Sequence, residues 1–523
     1  MVSKRRRTRR RSADSRSVNN NDNGASTQKP VWLGLKGGNY KPLSDQDIVQ
    51  IHATALDVLE NMGIANPIPE LLDAISGKGC IFGEDGRLRF PRALVEDVIA
   101  YSPKKINYYA PNPKHDITVS PDNLTFSTSG EAVTILDFNT RTYRPSTLVD
   151  LYDAARLVDQ LEHIHSFGQP FIAAEHSENL FIHNTNIAYA ELAGTQKPFH
   201  LGMGVVDHIE PIIRLFDIYA GGDGKFLKRP FCSLGGCPIV SPLTFAQDSL
   251  EVLMACARLG ITYDLAVASQ AGATAPAALA GSLVQTFAET LACLVVVYLI
   301  NPKAPMLFGM WPFISDLRTG SFTGGGAEQA LVMAATAQIC NYYGIIASVA
   351  TGMSDANIPD NQAGFEKGIT TLAAALAGGN SVTPYPGSVG SIMGSSFEGF
   401  VIDNDMIGNV LRVVRGIEVN EETLSYEVIK DTVFGPGHFL GHPQTLSLMK
   451  TEFLYPNLSD RRDTTSWEQD GSPTIYEQAH ERVKDMLRKH YPQHIPPDID
   501  RKIRQHFDIR LREEEMKYGN RRW

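Results

Sequence analysis

Short apolar runs that end in glycine or polar residues recur along the middle of this chain and constrain its fold more than any other feature. Seven of them are spaced about 30 to 40 residues apart, with helix-like segments between them. This spacing is typical of consecutive strand–helix units, whose parallel strands form one sheet. The seven runs occupy residues 163–168, 198–204, 230–235, 261–268, 304–310, 344–350 and 379–385.

The number of units favours one architecture. An eighth strand could lie in Asp431-Thr-Val-Phe-Gly435, and eight similar units predict an α/β fold of the (β/α)8 TIM barrel type. An open doubly wound sheet would instead show one dominant glycine-rich nucleotide loop. The run Gly324-Gly-Gly326 precedes a helix-like segment, but it lacks the further glycine, the lysine and the acidic partner of nucleotide-binding motifs. We therefore expect a barrel.

Segments of different composition flank the barrel. In the first, Ser44 can cap an amphipathic helix that reaches Met62, because apolar residues recur there at helical spacing. In the last, Ala479, Val483 and Leu487 recur at the same spacing in a charged helix. The expected segments are a disordered Arg-rich tail (1–30), an N-terminal cap region (31–150), the barrel (151–450) and a C-terminal helical extension (451–523).

Charge is distributed unevenly along the chain. Residues 1–29 hold nine Lys or Arg and two Asp, so the remaining residues carry −17 within the total net charge of −10. A body this acidic argues against a nucleic-acid partner and mildly favours a cationic substrate. The arginines of the tail lack the apolar segment of an export signal, and no apolar run is long enough to span a membrane. We expect a cytoplasmic protein.

Six cysteines in 523 residues do not form a disulfide framework. Cys256, Cys293 and Cys340 lie in apolar helical contexts and are interpreted as packed thiols. Cys232 and Cys237 lie closer together, but no further His/Cys pair stands at zinc-finger spacing from them. No metal site is expected.

Polar and aromatic residues follow several of the predicted strands. Because the carboxyl ends of parallel strands meet at one mouth, these side chains are candidates for a single site. Aromatic rings beside carboxylates suit a quaternary ammonium ion, although Trp311 and Phe313 could equally pack the rim of the barrel. The candidates are Gln169, Met203, Gln270, Trp311, Phe313, Asp355, Asn357, Asp360, Gln362, Tyr385 and Ser388.

Several motifs resemble one family. Residues 40–500 resemble the trimethylamine methyltransferase (MttB) superfamily in the correct order along the chain. The motifs that carry the resemblance are Ser269-Gln-Ala-Gly-Ala-Thr-Ala-Pro, Ala288-Glu-Thr-Leu-Ala, Asn301-Pro-Lys-Ala-Pro-Met-Leu-Phe-Gly, Ser354-Asp-Ala-Asn with Asp360-Asn-Gln-Ala-Gly, His438-Phe-Leu-Gly-His-Pro and Leu458-Ser-Asp-Arg-Arg. The resemblance implies a barrel that moves a methyl group from a methylated amine to the cobalt of a separate corrinoid protein.

The resemblance also implies a substrate class and roles for residues. Trimethylamine-specific members carry pyrrolysine in a late loop, where this chain has Asn357, so it resembles the non-pyrrolysine branch that includes glycine betaine methyltransferase. No cofactor is expected on this chain, because the partner carries the cobalamin. Under this hypothesis Asp355, Asn357 and Asp360 are catalytic, and the substrate-binding residues are Trp311, Phe313, Gln362, Tyr385, Gln270 and His438.

The resemblance favours glycine betaine as the methyl donor, with several alternatives open. The methyl donor could be proline betaine, carnitine, trimethylamine or a sulfonium compound, and a non-catalytic barrel could simply bind a quaternary amine. A zinc-dependent methyltransferase acting on homocysteine would need a cluster of Cys and His ligands at the mouth. Homo-oligomerisation is expected by analogy with similar barrels.

Overall fold

A computed structural model describes residues 29–523 of the protein. The Arg-rich tail, expected to be disordered, lies outside the described residues except for its last two positions. Residues 424–453 form a compact unit of their own, and residues 31–423 together with 454–523 form a second, larger unit. The candidate site lies entirely within the larger unit.

The larger unit is built on a parallel sheet of eight strands. Most of the strands are short and fully buried, which explains why they appear in the sequence as continuous apolar runs rather than alternating ones. In chain order they are β1 (Thr125–Phe126), β2 (Phe167–Gly168), β3 (Phe199–Gly202), β4 (Cys232–Gly236), β5 (Tyr263–Leu265), β6 (Met306–Gly309), β7 (Ala347–Ala350) and β8 (Ser381–Thr383).

The sheet is strongly curled. Its strands are hydrogen-bonded in the order β1-β8-β7-β6-β5-β4-β3-β2, so each of β2 to β8 lies beside its neighbours in sequence. An isolated parallel bridge also pairs Ser127, directly after β1, with Ser166, directly before β2. The α/β class and the seven strands predicted between residues 163 and 385 are confirmed.

The predicted eighth strand is wrong, because residues 431–433 are the end of a helix, Tyr426–Val433. The missing strand is instead β1, which lies before residue 151, where we expected the barrel to begin. Only two residues, Thr125 and Phe126, form this strand. The run Leu124-Thr-Phe-Ser127 is β-like in the sequence, but it lies within the segment that we expected to form the cap, so it was not counted with the sheet.

A helix follows each strand, and several of these helices begin at side-chain caps. Thr147 forms a capping box with Asp150, Asp360 accepts two backbone N–H groups, and Ser396 accepts one. The eight helices are α1 (Leu148–Asp159), α2 (Leu180–Gly194), α3 (Ile209–Ala220), α4 (Gln247–Leu259), α5 (Leu279–Ile300), α6 (Ala327–Tyr342), α7 (Asn361–Ala377) and α8 (Phe397–Arg415).

Helix α5 is long and apolar enough to cross a membrane by length and composition, and within the described chain it is alone in this. Most of its residues are buried against other elements, among them α4 and three helices that precede the sheet. Its apolar character is therefore that of a core helix.

The helices of the N-terminal region pack on α5, and a hairpin of this region reaches the sheet. The expected first helix is confirmed as Asp45–Asp57 with a π-helical turn to Met62, and Ser44 forms its capping box with Asp47. Further helices are Pro69–Ile75 and Arg92–Tyr101. A hairpin, Ile106–Tyr108 with Ile117–Val119, packs on Leu307 and Ile346, at or near the amino ends of β6 and β7.

The C-terminal segment is helical, as expected, over Ile475–Lys489 and Pro497–His506. Its attachment to α1 centres on Arg156, which is fully buried. The Arg156 guanidinium donates to the carbonyl oxygens of Leu487 and His490, which would otherwise be unsatisfied at the end of the helix. The guanidinium also pairs with Asp153.

The smaller unit, residues 424–453, contains the helices Tyr426–Val433 and Pro443–Leu448. His442 caps the second helix by accepting from the backbone N–H of Gln444. Many apolar side chains of this unit are exposed, including Phe434 and Leu440.

Candidate active site

A cavity of about 250 Å³ lies inside the curled sheet. Tyr108 and Val119 of the hairpin line one part of it, and Trp311 and Tyr385, which follow β6 and β8, line another. The cavity therefore extends from the amino ends of the strands to their carboxyl ends, where α/β proteins bind ligands.

Glu131 brings a carboxylate to this cavity from the segment after β1. Its backbone N–H donates to the carbonyl of Gln169, and its φ of 49° holds it in a left-handed conformation that is uncommon for residues other than glycine. Its side chain is exposed and is one of those that line the cavity. The surrounding protein limits hydration of the carboxylate and raises its pKa from the ordinary value of 4.5, an effect that the charge of His200 partly opposes.

Glycine at position 202 makes room for this carboxylate. A Cβ atom added to Gly202 would lie 2.0 Å from Oε1 of Glu131, so the carboxylate would have to move from this position. Gly235 plays the same part for His200, because a Cβ there would approach Cε1 of the imidazole to 2.5 Å and the Asp264 carbonyl oxygen to 2.3 Å. The small residues of β3 and β4 thus create space for charged groups inside the sheet.

A hydrogen-bonded group centred on Asp264 lies beside Glu131. The Asp264 carboxylate is 3.0 Å from Nδ1 of His200 and accepts from the hydroxyls of Ser233 (2.6 Å) and Tyr108 (2.5 Å). Burial lowers the pKa of His200, but the bond to Asp264 and the charges of Asp264 and Glu131 outweigh it, so the pKa is raised overall. Burial and the Asp264 charge raise the pKa of Tyr108, which keeps its proton.

Three aromatic rings named by the sequence line the same cavity: Trp311, Phe313 and Tyr385. The Trp311 and Phe313 rings stack with centroids 6.3 Å apart, and the Tyr385 ring meets Trp311 edge-on at 6.3 Å. The indole N–H of Trp311 donates to the Ser348 carbonyl at 3.2 Å, which fixes the ring. Burial raises the pKa of Tyr385, which is hydrogen-bonded to Ser129.

Cys237 also faces the cavity. The surrounding protein raises the pKa of its thiol to about 11, and the charge of Glu131 adds to this, so the thiol stays protonated near neutral pH. Within residues 29–523, no group of three or more His, Cys, Asp or Glu side chains is arranged to hold a metal ion.

Comparison with known proteins identifies the family to which this chain belongs. The family model described as trimethylamine methyltransferase (MTTB) matches residues 4–517. The chain belongs to the MTTB family. The resemblance seen in the sequence motifs is thereby confirmed.

Similar MTTB-family proteins carry two kinds of name. A trimethylamine methyltransferase MttB of Methanosarcina thermophila is 31% identical over 89% of this chain and 96% of its own length. The trimethylamine methyltransferase MttB of Desulfitobacterium hafniense is 29% identical over 92% and 95%. A glycine betaine methyltransferase of Desulfitobacterium hafniense strain Y51 is 29% identical over 89% and 96%. All are named methyltransferases, and this chain is a methyltransferase of the same family.

One solved structure among those similar to this chain is the monomethylamine methyltransferase MtmB of Methanosarcina barkeri. It is 12% identical, with a TM-score of 0.42, and the match covers 87% of this chain and 95% of that one.

In this MTTB-family chain the loop after β7 places the predicted catalytic residues away from the cavity lining. The Asp355 carboxylate accepts from the hydroxyls of Thr323 and Ser391 and from the backbone N–H groups of Gly324 and Gly325. These bonds tie together the segments that follow β6, β7 and β8. Asp355 therefore holds these three loops together.

The other predicted loop residues are exposed. The backbone carbonyl of Asn357 accepts from the hydroxyl of Tyr143 at 2.6 Å. Asp360 caps α7, and the Gln362 amide donates to Glu366 at 2.9 Å. Their placement indicates local roles in the loop and at the start of the helix.

Two predicted binding residues lie elsewhere. Gln270 pairs in parallel register with Phe313 in a small sheet, Gln270–Ala271 with Phe313–Ser315, and so lies next to a residue of the cavity wall. His438 is exposed and belongs to the smaller unit.

Three cavity residues were missed from the sequence: Glu131, His200 and Asp264. His200 and Asp264 interrupt apolar runs that were correctly predicted as strands, and a charged residue inside a buried strand is a signal of function. Glu131 follows Ser127-Thr-Ser-Gly130 at the end of β1, which is the pattern sought after the other strands. It was missed because this segment was assigned to the cap.

Proposed function

We propose that this protein transfers a methyl group from a quaternary ammonium compound to the Co(I) centre of a corrinoid carried by a separate protein. The observation that carries the proposal is the Glu131 carboxylate, which faces the same cavity as the rings of Trp311, Phe313 and Tyr385. A carboxylate attracts a cation by its charge, and the aromatic rings attract it through their quadrupoles. Both attractions suit the diffuse charge of a methylated ammonium ion.

The reaction needs little from the protein beyond positioning. The electron pair of Co(I) forms a bond to one methyl carbon, the bond from that carbon to nitrogen breaks, and its electron pair stays on nitrogen, which leaves as a neutral amine. No general acid is required, because the leaving group is already neutral. The rings and Glu131 would hold the ammonium group, orient one methyl group outward and exclude water.

The mouth of the cavity fits a docking partner. We propose that the curled sheet is a closed (β/α)8 barrel, since the bridge between Ser127 and Ser166 joins its two edge strands, β1 and β2. The loops after its strands expose apolar side chains, which we propose dock the corrinoid protein; their exposures are 47% for Val133, 69% for Leu317, 48% for Ile358 and 56% for Met393. The partner would present its cobalt at this rim.

The predicted loop residues keep a part in this proposal. Asp355, Asn357, Asp360 and Gln362 would shape the loop after β7 that borders the mouth, with Asp355 as its main anchor. Homo-oligomerisation, a cytoplasmic location and a contribution of His438 remain predictions.

A methylation assay with free cob(I)alamin as a stand-in for the partner tests the proposal. The purified protein is mixed with cob(I)alamin and with glycine betaine, choline, tetramethylammonium or trimethylamine, and the conversion to methylcobalamin is followed by absorbance. We expect at least one quaternary amine to be demethylated, faster with wild-type protein than with Glu131→Gln. A barrel that only binds quaternary amines would show affinity in a titration but no methylcobalamin, and that result would overturn the proposal.

A further inference from the structure

Acidic side chains outnumber basic ones among the residues that line the cavity. Glu131 and Asp264 are acidic, and His200 is basic. Among the described residues that line the cavity there is no lysine or arginine. A ligand that carries its own negative group would therefore find no dedicated cationic side chain.

His200 does not fill this role, because its charge is already compensated. Its Nδ1 lies 3.0 Å from the Asp264 carboxylate, which is further stabilised by the hydroxyls of Ser233 and Tyr108. When His200 is protonated, the pair is neutral as a unit. The charge of Glu131 then remains, and the ligand experiences a net negative cavity.

Two buried lysines near the sheet are held by other acceptors. The ammonium group of Lys367 pairs with Asp403 at 2.8 Å and donates to the Tyr385 carbonyl at 3.2 Å. Lys197 donates to the backbone carbonyls of Val158, Leu161 and Ile164, at 2.6 to 2.7 Å. Turning either ammonium group towards a ligand would break these bonds, so neither is a ready partner for a carboxylate.

The uncharged polar groups of the cavity are mostly hydroxyls. Ser127 and Thr383 face each other at 3.0 Å, and Ser129 bonds to Tyr385. Ser166 and Ser348 line the cavity as well. Hydroxyls both donate and accept, so this wall suits an alcohol group on the ligand at no cost in unpaired charge.

We propose that the site selects a methylated ammonium ion with a net positive charge, whose remaining substituent is an alcohol or an alkyl group, over zwitterionic betaines that carry a carboxylate. This inference rests on the proposed function and names the substrate class of the same site. Glu131 attracts the ammonium group of both kinds of ligand, but it repels the carboxylate of a betaine, which must also lose its hydration on entry. The inference departs from glycine betaine, the methyl donor that the family resemblance favours.

Isothermal titration of the full-length protein with choline, tetramethylammonium and glycine betaine tests this selectivity. We expect choline and tetramethylammonium to bind, and choline to bind roughly tenfold or more tightly than glycine betaine. Glycine betaine binding as tightly as choline, or more tightly, would overturn the inference and leave the proposed function standing. Failure of all three compounds to bind would overturn both.

A variant without the Glu131 charge tests whether that charge causes the selectivity. Glu131→Gln should weaken choline binding, because the substitution removes the attraction for the ammonium group. For glycine betaine it also removes the repulsion of the carboxylate, so the loss is smaller and the choline-to-betaine affinity ratio should approach one. Glu84→Gln removes the same charge from the exposed surface and should leave both affinities unchanged. A ratio that stays the same in Glu131→Gln, in a protein with a wild-type thermal midpoint, would contradict the assigned role of Glu131.

Discussion

Two carboxylates at the carboxyl ends of the strands differ in how they are bonded. Asp355, in the loop after β7, accepts four hydrogen bonds from Thr323, Gly324, Gly325 and Ser391. Glu131, after β1, lines the cavity. Within residues 29–523 no hydrogen bond contributes to the pKa of its carboxylate, and the surrounding protein raises that pKa by limiting hydration. A carboxylate whose acceptor capacity is filled orders the chain, whereas one without donors is available to a cation.

The difference shows that a loop rich in polar residues need not hold an available charge. Polar residues in the loop after β7 mostly satisfy one another and the backbone, as Ser354 and the Asp355 N–H do when they donate to Glu366 at 2.7 and 2.9 Å. The cavity holds fewer charged groups. Asp264 is bonded to His200, Ser233 and Tyr108, whereas the Glu131 carboxylate has no hydrogen-bond donor among the described residues. The two regions differ in whether a carboxylate is free to meet a cation, and not in how many polar residues the sequence places there.

Removing the charge of Glu131 should have the largest effect on binding. Glu131→Gln is expected to lower the affinity for choline by roughly 100-fold, because the cation loses its compensating charge in a partly desolvated site. The thermal midpoint should not fall, since no hydrogen bond to the carboxylate is lost. Calorimetric titration and thermal unfolding of the same sample measure both. An affinity within roughly threefold of wild type would place the cation elsewhere.

Removing the Asp355 carboxylate should have the opposite profile. Asp355→Ala leaves the Thr323 and Ser391 hydroxyls and two backbone N–H groups without their acceptor, and we expect a loss of about 1–3 kcal/mol in the free energy of unfolding. Choline affinity should change much less than in Glu131→Gln. Denaturant unfolding measures the change in stability, and titration with choline measures the change in affinity. A large loss of affinity with unchanged stability would reverse the roles given to the two carboxylates.

The aromatic wall should contribute less than the charge. Trp311→Ala is expected to cost about 1–2 kcal/mol of cation binding, because the ring face supplies a quadrupole attraction to the ammonium group. Trp311→Phe keeps an aromatic face and serves as the matched control, with a smaller loss. Titration of both variants against choline measures the difference. Equal affinities for Trp311→Ala and wild type would remove this ring from the binding site.

The dependence of binding on pH should be the most gradual effect. The pKa of Glu131 is raised, and below that pKa the carboxylate is protonated and neutral. Choline affinity should therefore fall as pH is lowered, beginning at a higher pH than for a glutamate of ordinary pKa. Protonation of His200 acts in the same direction, because it adds positive charge beside the cation. Titrations from roughly pH 8.5 to 5.5 should show a steeper slope for wild type than for Glu131→Gln. An affinity that rises at low pH would contradict both assignments.

Much of the fold was accessible from the sequence. Seven strands of the sheet were predicted because each is a buried apolar run with a clear end, and the helix capped by Ser44 was predicted from its cap and its helical spacing. The first strand was seen as a β-like run at Leu124-Thr-Phe-Ser127 but was assigned to the cap, because nothing in so short a run shows which sheet it joins. The segment at Asp431 was misread because its short run of Thr-Val-Phe before a glycine fits a strand as well as the helix end that it forms.

The candidate site was accessible only in part. Trp311, Phe313 and Tyr385 reach the cavity because they follow the sixth and eighth strands closely, so position along the chain was sufficient to place them. Whether a carboxylate is free or fully bonded depends on contacts between distant segments, such as Asp355 with Ser391 or Gly202 with Glu131. Such contacts leave no periodic signal in one sequence.

A crystal structure of the protein with bound choline tests the central claim most directly, because it shows which carboxylate the cation approaches. The account predicts that the trimethylammonium group lies inside the sheet, against Trp311, Phe313 and Tyr385, with the Glu131 carboxylate as its nearest negative charge. Choline bound instead at the loop after β7, beside Asp355 or Asp360 and outside the cavity, would contradict it.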